Sequence, residues 1–215
     1  MMRDAIDNID EGVLIGGRML NDVRFADDQA MVSNSSEGLQ MLMDGLNIAA
    51  DEYGMRINVK KTKTMVISKT EGKKVEIKVG QHQVEQVEQF KYLGSVITED
   101  GRCSKEIKCR IAIAKQAFTK NKKILCSNMC MSLRVRLVKT LVWSVLLYGS
   151  DTWTMTKEER KRIEAFKMWV GRRMAKVSWI EKKTNEEILC VSKLFILLLG
   201  GSSFLTPCIC FYVCV

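Results

Sequence analysis

The chain has 215 residues, 47% of them hydrophobic and 27% charged, which suits one ordinary domain or one and a half small ones and excludes a disordered polymer of low hydrophobicity. Its net charge of +9 points to an acidic partner, and that charge is unevenly placed. Residues 1–59 hold 4 Lys/Arg and 11 Asp/Glu whereas residues 60–215 hold 30 and 14, so a segment suited to cations precedes one suited to phosphates, although basic segments also serve solubility and anionic membranes.

The first ten residues lack the apolar core of a secretory signal, which predicts an intracellular chain, cytoplasmic or nuclear. Short apolar runs follow, Val13 to Ile15, Met19 to Leu20 and Val23 to Ala26, separated by Gly16-Gly17 and Asn21-Asp22; these predict strands. Asp27-Asp28 interrupts the run and Ala30-Met31-Val32 resumes it, placing the acidic pair in the tight turn of a β-hairpin. A helix is predicted next, with Asn34 or Ser36 as N-cap, Leu39, Leu42, Leu46, Ala49 and Tyr53 on one face, and Gly54 as its stop. Strands are predicted again at Ile57 and Val59, Met65 to Ile67, Val75 to Val79, Val84 to Val87, and Phe90 to Ile97 with a break near Gly94. The connector Lys60-Lys61-Thr62-Lys63 is a basic cluster that reads equally as a solvated loop.

After Gly101 the pattern changes to amphipathic helices, predicted at about Lys105 to Cys126, Ser132 to Tyr148 and Lys157 to Val177, with Trp143, Trp153 and Trp169 as core filler. The eight cysteines form no Cys-x-x-Cys pair and His82 is the only histidine, so a zinc site is disfavoured and reduced, mostly buried thiols are expected. Leu194 to Val215 carries no charge and is long enough to span a bilayer, but Gly200-Gly201-Ser202-Ser203 and Pro207 argue against an anchor helix. Membrane contact, if any, is expected only through 194–215. The fold class these elements predict is α+β.

Two adjacent carboxylates at a hairpin tip supply hard oxygen ligands of the kind magnesium takes. Alone, Asp27-Asp28 reads as readily as a solvated turn. Order along the chain adds to it: Phe25-Ala26-Asp27-Asp28 is followed by Gly54-Met55-Arg56-Ile57-Asn58-Val59-Lys60-Lys61-Thr62-Lys63, by Phe90-Lys91-Tyr92-Leu93-Gly94-Ser95, and by Asp100-Gly101. In this series the sequence resembles the reverse transcriptases of non-LTR (LINE-type) retrotransposons. There an F/Y-x-D-D palm hairpin, a helix, a Gly-x-x-Asn-x-x-Lys-Thr-Lys-like segment and an F-x-Y-L-G primer-grip hairpin come in that order. Glu106-Ile107, Arg110-Ile111 and Ala114 resemble the start of the family's helical thumb. Tyr148-Gly149-Ser150-Asp151-Thr152-Trp153 resembles its Y-G-x-E-x-W box, with Asp for Glu, and Arg172-Arg173-Met174 and Asn185 to Ile188 resemble its downstream part.

The resemblance, from about Gly12 to about Leu189, implies a partial polymerase palm over 1–100, a helical thumb-like region over 101–189 and a hydrophobic tail over 190–215 with no counterpart in the family. It implies Asp27 as a metal ligand and Asp28 as an auxiliary or second ligand, with Mg2+ as the ion. It implies Lys61 as the group that steadies or protonates leaving pyrophosphate, and Phe90, Tyr92, Leu93 and Gly94 as the primer grip. RNA template and DNA primer are the implied partners, with the basic helices as nucleic-acid contacts. The family also places a further catalytic aspartate and its finger residues well before the hairpin, and only 26 residues precede Asp27. The expectation is therefore a fragment of an RNA-directed DNA polymerase, inactive by itself. A nucleic-acid-binding module and a tail-anchored interaction protein are the alternative readings.

Overall fold

The computed structural model describes residues 9, 11–26, 28–68, 74–192 and 210–214. The chain divides into two compact units, one of Met1–Arg102 with Leu205–Val215 and one of Cys103–Phe204. The first is built from short strands around one helix and the second from helices, so the class is α+β.

In the first unit, β1 (Val13–Ile15) pairs antiparallel with β2 (Arg18–Leu20), Val13 opposite Leu20. The reversal uses Gly16 and Gly17, both at positive φ (58° and 79°), as a two-residue hairpin turn requires when its twist must match that of the strands. β3 (Asp22–Phe25) then pairs with β4 (Asp28–Ser33), Phe25 opposite Asp28, and the ladder continues with the Val32 amide donating to Asn21 O at 2.8 Å. Residues Gln29 to Ser33 of β4 are all buried, the pattern of a strand covered on both faces. The far edge of β4 is paired antiparallel with β11 (Cys210–Cys214), from Cys210 opposite Ser33 to Cys214 opposite Gln29.

Helix α1 (Ser36–Glu52) buries Leu39, Leu42, Met43, Leu46, Ala49 and Ala50. Its N-cap is Ser35, whose Oγ accepts from the Gly38 amide at 2.9 Å, and not Asn34 or Ser36. A cap needs extended backbone three residues before the amide it serves. Ser35 has it (φ −130°, ψ 155°), while Ser36 is already helical and the Asn34 side chain is drawn away to donate to Gly12 O at 3.0 Å. Gly54, at φ 67°, follows the C-cap and ends the helix as expected.

The strands predicted between Ile57 and Val79 shrink to β5 (Lys63–Thr64) and β6 (Lys78–Val79). Alternation reports which side chains face the core, and there it succeeds: Ile77 and Val79 are buried, and Ile57, Val59 and Val75 pack against the cluster around Leu39 and Leu42. It does not report whether a neighbouring backbone runs alongside. Side chains take that part here: the Val75 amide donates to Gln86 Oε1 (2.9 Å), and Gln40 both accepts from the Lys78 amide (2.9 Å) and donates to Lys78 O (2.8 Å). β6 pairs with β7 (His82–Gln83), and β5 pairs parallel with β8 (Glu85–Gln86). The last hairpin joins β9 (Gln89–Tyr92) to β10 (Ser95–Thr98), with Tyr92 opposite Ser95. Its turn residues are Leu93 and Gly94, at φ 47° and 83°.

The second unit opens with α2 (Ser104–Lys120) and α3 (Lys122–Leu125), the single helix expected over Lys105 to Cys126 being broken at Asn121. The helix expected over Ser132 to Tyr148 is α4 (Met131–Val138), a π-helical turn (Lys139–Trp143) and α5 (Ser144–Leu146). α6 (Lys157–Ala175) follows, started by a reciprocal capping box between Thr156 and Glu159, and α7 (Asn185–Ser192) ends the unit. Their apolar faces form one core containing Ile107, Ala114, Phe118, Val138, Trp143, Ile163, Phe166 and Val170. On α2 the buried Glu106 and the half-buried Arg110, one turn apart, form an ion pair at 2.6 Å.

Cys103, Cys109, Cys126, Cys130 and Cys190 are free thiols, but three of them (Cys109, Cys130, Cys190) are exposed. The expectation of mostly buried thiols is thereby corrected for these positions. Of the uncharged tail, 194–209 and 215 lie outside the described residues. No helix among the described residues is long and apolar enough to cross a membrane.

Candidate functional site

The acidic hairpin presents Asp28 as the first residue of β4, half-buried, with Phe25 across from it 65% exposed. Ala26 turns the chain at φ 56°, a left-handed conformation that a side chain disfavours. Asp27 lies outside the described residues. On β3, Asp22 and Arg24 form an ion pair with each other.

The β9–β10 hairpin meets this element directly. The Tyr92 hydroxyl donates to Val23 O at 3.2 Å, so a residue of the Phe90–Gly94 motif is tied to the strand that leads into the acidic pair. Burial first, and the Asp28 charge second, hold the Tyr92 phenol above the ordinary tyrosine value, because both disfavour a second negative charge there. Phe90 is half-buried, while Leu93 and Gly94 form the exposed tip. Leu93 at positive φ is strained backbone for a side chain with a Cβ.

Lys61 sits in the exposed turn after Asn58, its amide donating to Asn58 O (3.0 Å) and to Asn58 Oδ1 (3.3 Å). Among the described residues its ammonium makes no ion pair, whereas Lys63 is held by Glu85 at 2.5 Å. Thr62 is buried, with its hydroxyl donating to Asn58 O at 2.9 Å. The structure thus brings Tyr92 to the acidic hairpin and leaves Lys61 on a separate turn.

As a cation site the described residues are incomplete. Asp28 offers hard oxygen ligands, Asp22 is engaged by Arg24, and no group of three or more His, Cys, Asp or Glu side chains gathers among the described residues. They do not form a cation cage by themselves, and no reaction step is derived through one.

The helical unit carries a feature that motif reading passed over. Cys103–Phe204 holds 21 Lys/Arg against 8 Asp/Glu, and no acidic residue occurs between Glu106 and Asp151. That gap is the signal that would have found it. Lys108, Lys115, Lys122, Lys123, Arg136 and Lys139 from this stretch are exposed. From two helices, Lys115 (α2) and Arg173 (α6) converge on the Trp169 ring, at 5.4 and 4.3 Å from its centroid. The ring is fixed by Phe166, stacked at 5.7 Å, and by Phe118, edge-on at 5.1 Å. A ring held this way positions two cations by cation–π attraction without neutralising them.

Residues 1–97 match the family model described as reverse transcriptase (RNA-dependent DNA polymerase). An uncharacterized transposon-derived protein of Caenorhabditis elegans is 27% identical over 174 residues, which is 80% of this chain and 62% of that protein. A match of that length runs beyond residue 97 into the helical unit. The chain spans about 62% of the length of this curated relative.

Proposed function

We propose, from the match of residues 1–97 to the reverse transcriptase family model, that the chain is the palm-hairpin and thumb-like part of a retrotransposon RNA-directed DNA polymerase of the non-LTR (LINE) type. The observation that carries this reading is the Tyr92 hydroxyl bonded to Val23 O. A hairpin that grips a primer has to stand beside the carboxylates that act on the primer's end, and this bond fixes such a pair of elements together.

In this reading residues 1–100 are the palm portion and 101–189 the thumb-like portion, with 190–215 a tail outside the family pattern. Asp27 and Asp28 contribute magnesium ligands, and the ion would supply charge neutralisation for phosphoryl transfer. Phe90, Tyr92, Leu93 and Gly94 hold the primer strand, with the glycine admitting close backbone approach. Lys61 faces pyrophosphate when the remainder of the polymerase is in place. The exposed cations of the second unit take the phosphates of an RNA template and DNA primer, so that the 215 residues act by themselves as a nucleic-acid-binding module.

Two-metal transfer needs more ligands than one acidic pair, so these residues alone bind primer-template and do not extend it. Primer extension on an RNA template with Mg2+ tests this, comparing the chain with Asp27→Ala. No extension by either, with retained binding, is the expected result; extension by the first and not the second overturns it.

A further inference from the structure

β4 is served from both sides, and the two sides come from opposite ends of the chain: β3 immediately before it, and Cys210–Cys214 from beyond the whole helical unit. In an antiparallel ladder each residue turns its N–H and C=O to the same neighbour, and successive residues alternate. The Val32 amide donates toward β3, to Asn21 O. Val32 and Ala30 therefore face β3, and Gln29, Met31 and Ser33 face the other edge. With β11 seated all five are buried, and β11 is the neighbour that supplies backbone partners to the three amides and three carbonyls of that edge.

The occupant present fits imperfectly. Gln29, only 6% exposed and opposite Cys214, has a buried Nε2 with no acceptor among the described residues. A buried amide left without an acceptor weakens the arrangement that leaves it so. β11 is also only five residues long and reaches to within one residue of Asp28.

We propose that Cys210–Cys214 is a displaceable sealing strand: it occupies in cis an acceptor edge of β4, beside Asp28, on which an extended peptide would otherwise pair antiparallel. While it is seated it closes that edge to other strands. When it leaves, β3 and β4 stay paired and only the outer row of β4 opens.

Amide hydrogen exchange read residue by residue on the full chain tests this. In the unmodified protein, with rising sub-denaturing urea, Gln29, Met31 and Ser33 exchange through an opening of lower free energy than Ala30 and Val32. A single opening shared by all five residues overturns the proposal. Tyr212 stands opposite Met31, so its N–H is one that β11 gives to β4, and Tyr212→Pro removes it. Exchange at Met31 is then faster by about tenfold or more while Ala30 and Val32 keep their protection, and Tyr212→Val restores Met31. Unchanged protection at Met31 in Tyr212→Pro, or loss at all five residues in step, overturns it.

Discussion

Tyr92 is held by a hydrogen bond to a backbone carbonyl and by an environment that resists its ionisation, and both depend on its position against the acidic hairpin. Its folded-state value is raised, so the contribution is fully present below the unfolded value of about 10 and is lost as pH rises through the folded one. Tyr92→Phe should lower stability by about 1 kcal/mol at neutral pH, and the difference from the unmodified chain should shrink in the alkaline range, as measured by urea unfolding at a series of pH values. Asp28→Asn should lower the tyrosine titration partway, because burial, the larger cause, remains. A spectrophotometric titration in which Asp28→Asn leaves Tyr92 unmoved would detach the two motifs from each other.

Cys130 is a second residue with an altered ionisation. A hydrogen bond with Ser132, the Leu133 amide and the Arg134 charge hold its thiol below the ordinary cysteine value, the setting expected of a thiol at a helix N-terminus. Iodoacetamide should therefore alkylate Cys130 at lower pH than an ordinary exposed cysteine, and Ser132→Ala should move its pH–rate curve upward. Mass-spectrometric mapping of the labelled peptide gives both curves.

At the scale of elements, what the sequence made legible was whatever rests on local periodicity. The Leu39, Leu42, Leu46 stripe located α1, and the run from Lys157 located α6. The Phe90–Gly94 motif marked a hairpin whose turn is where Gly94 placed it. Strand ladders between Ile57 and Val79 were not legible, because pairing depends on a distant neighbour that alternation cannot name. Gln40 shows the reason in one residue: it closes two hydrogen bonds on the backbone of Lys78, from 38 residues away, as a strand would. Gln40→Ala should cost about 1 kcal/mol and release the Lys78 amide to exchange, while Gln40→Glu should keep the acceptor and protect it. The association of Tyr92 with β3 lay beyond the sequence for the same reason: motif order implied the partners, and no residue pattern stated the contact.

For the whole molecule the charge partition becomes sharper once the two units are known. The acidic hairpin unit and the helical unit differ in sign over much of their length, and the +13 of Cys103–Phe204 gathers in α2 to α6 with an acid-free run at its centre. If these cations take phosphates, binding to a primer-template duplex falls with salt as counterions are released, and the logarithmic slope counts the contacts. Lys115→Ala and Arg173→Ala should each weaken binding similarly for unrelated sequences and reduce the slope by about 1. Trp169→Leu should reproduce part of both effects, since it keeps the cations and removes the ring that fixes them. Filter-binding titrations over a salt series measure all three. A slope unchanged by the paired Lys115→Ala, Arg173→Ala substitution would place the nucleic acid on another face of the chain, however strong the binding itself proved to be.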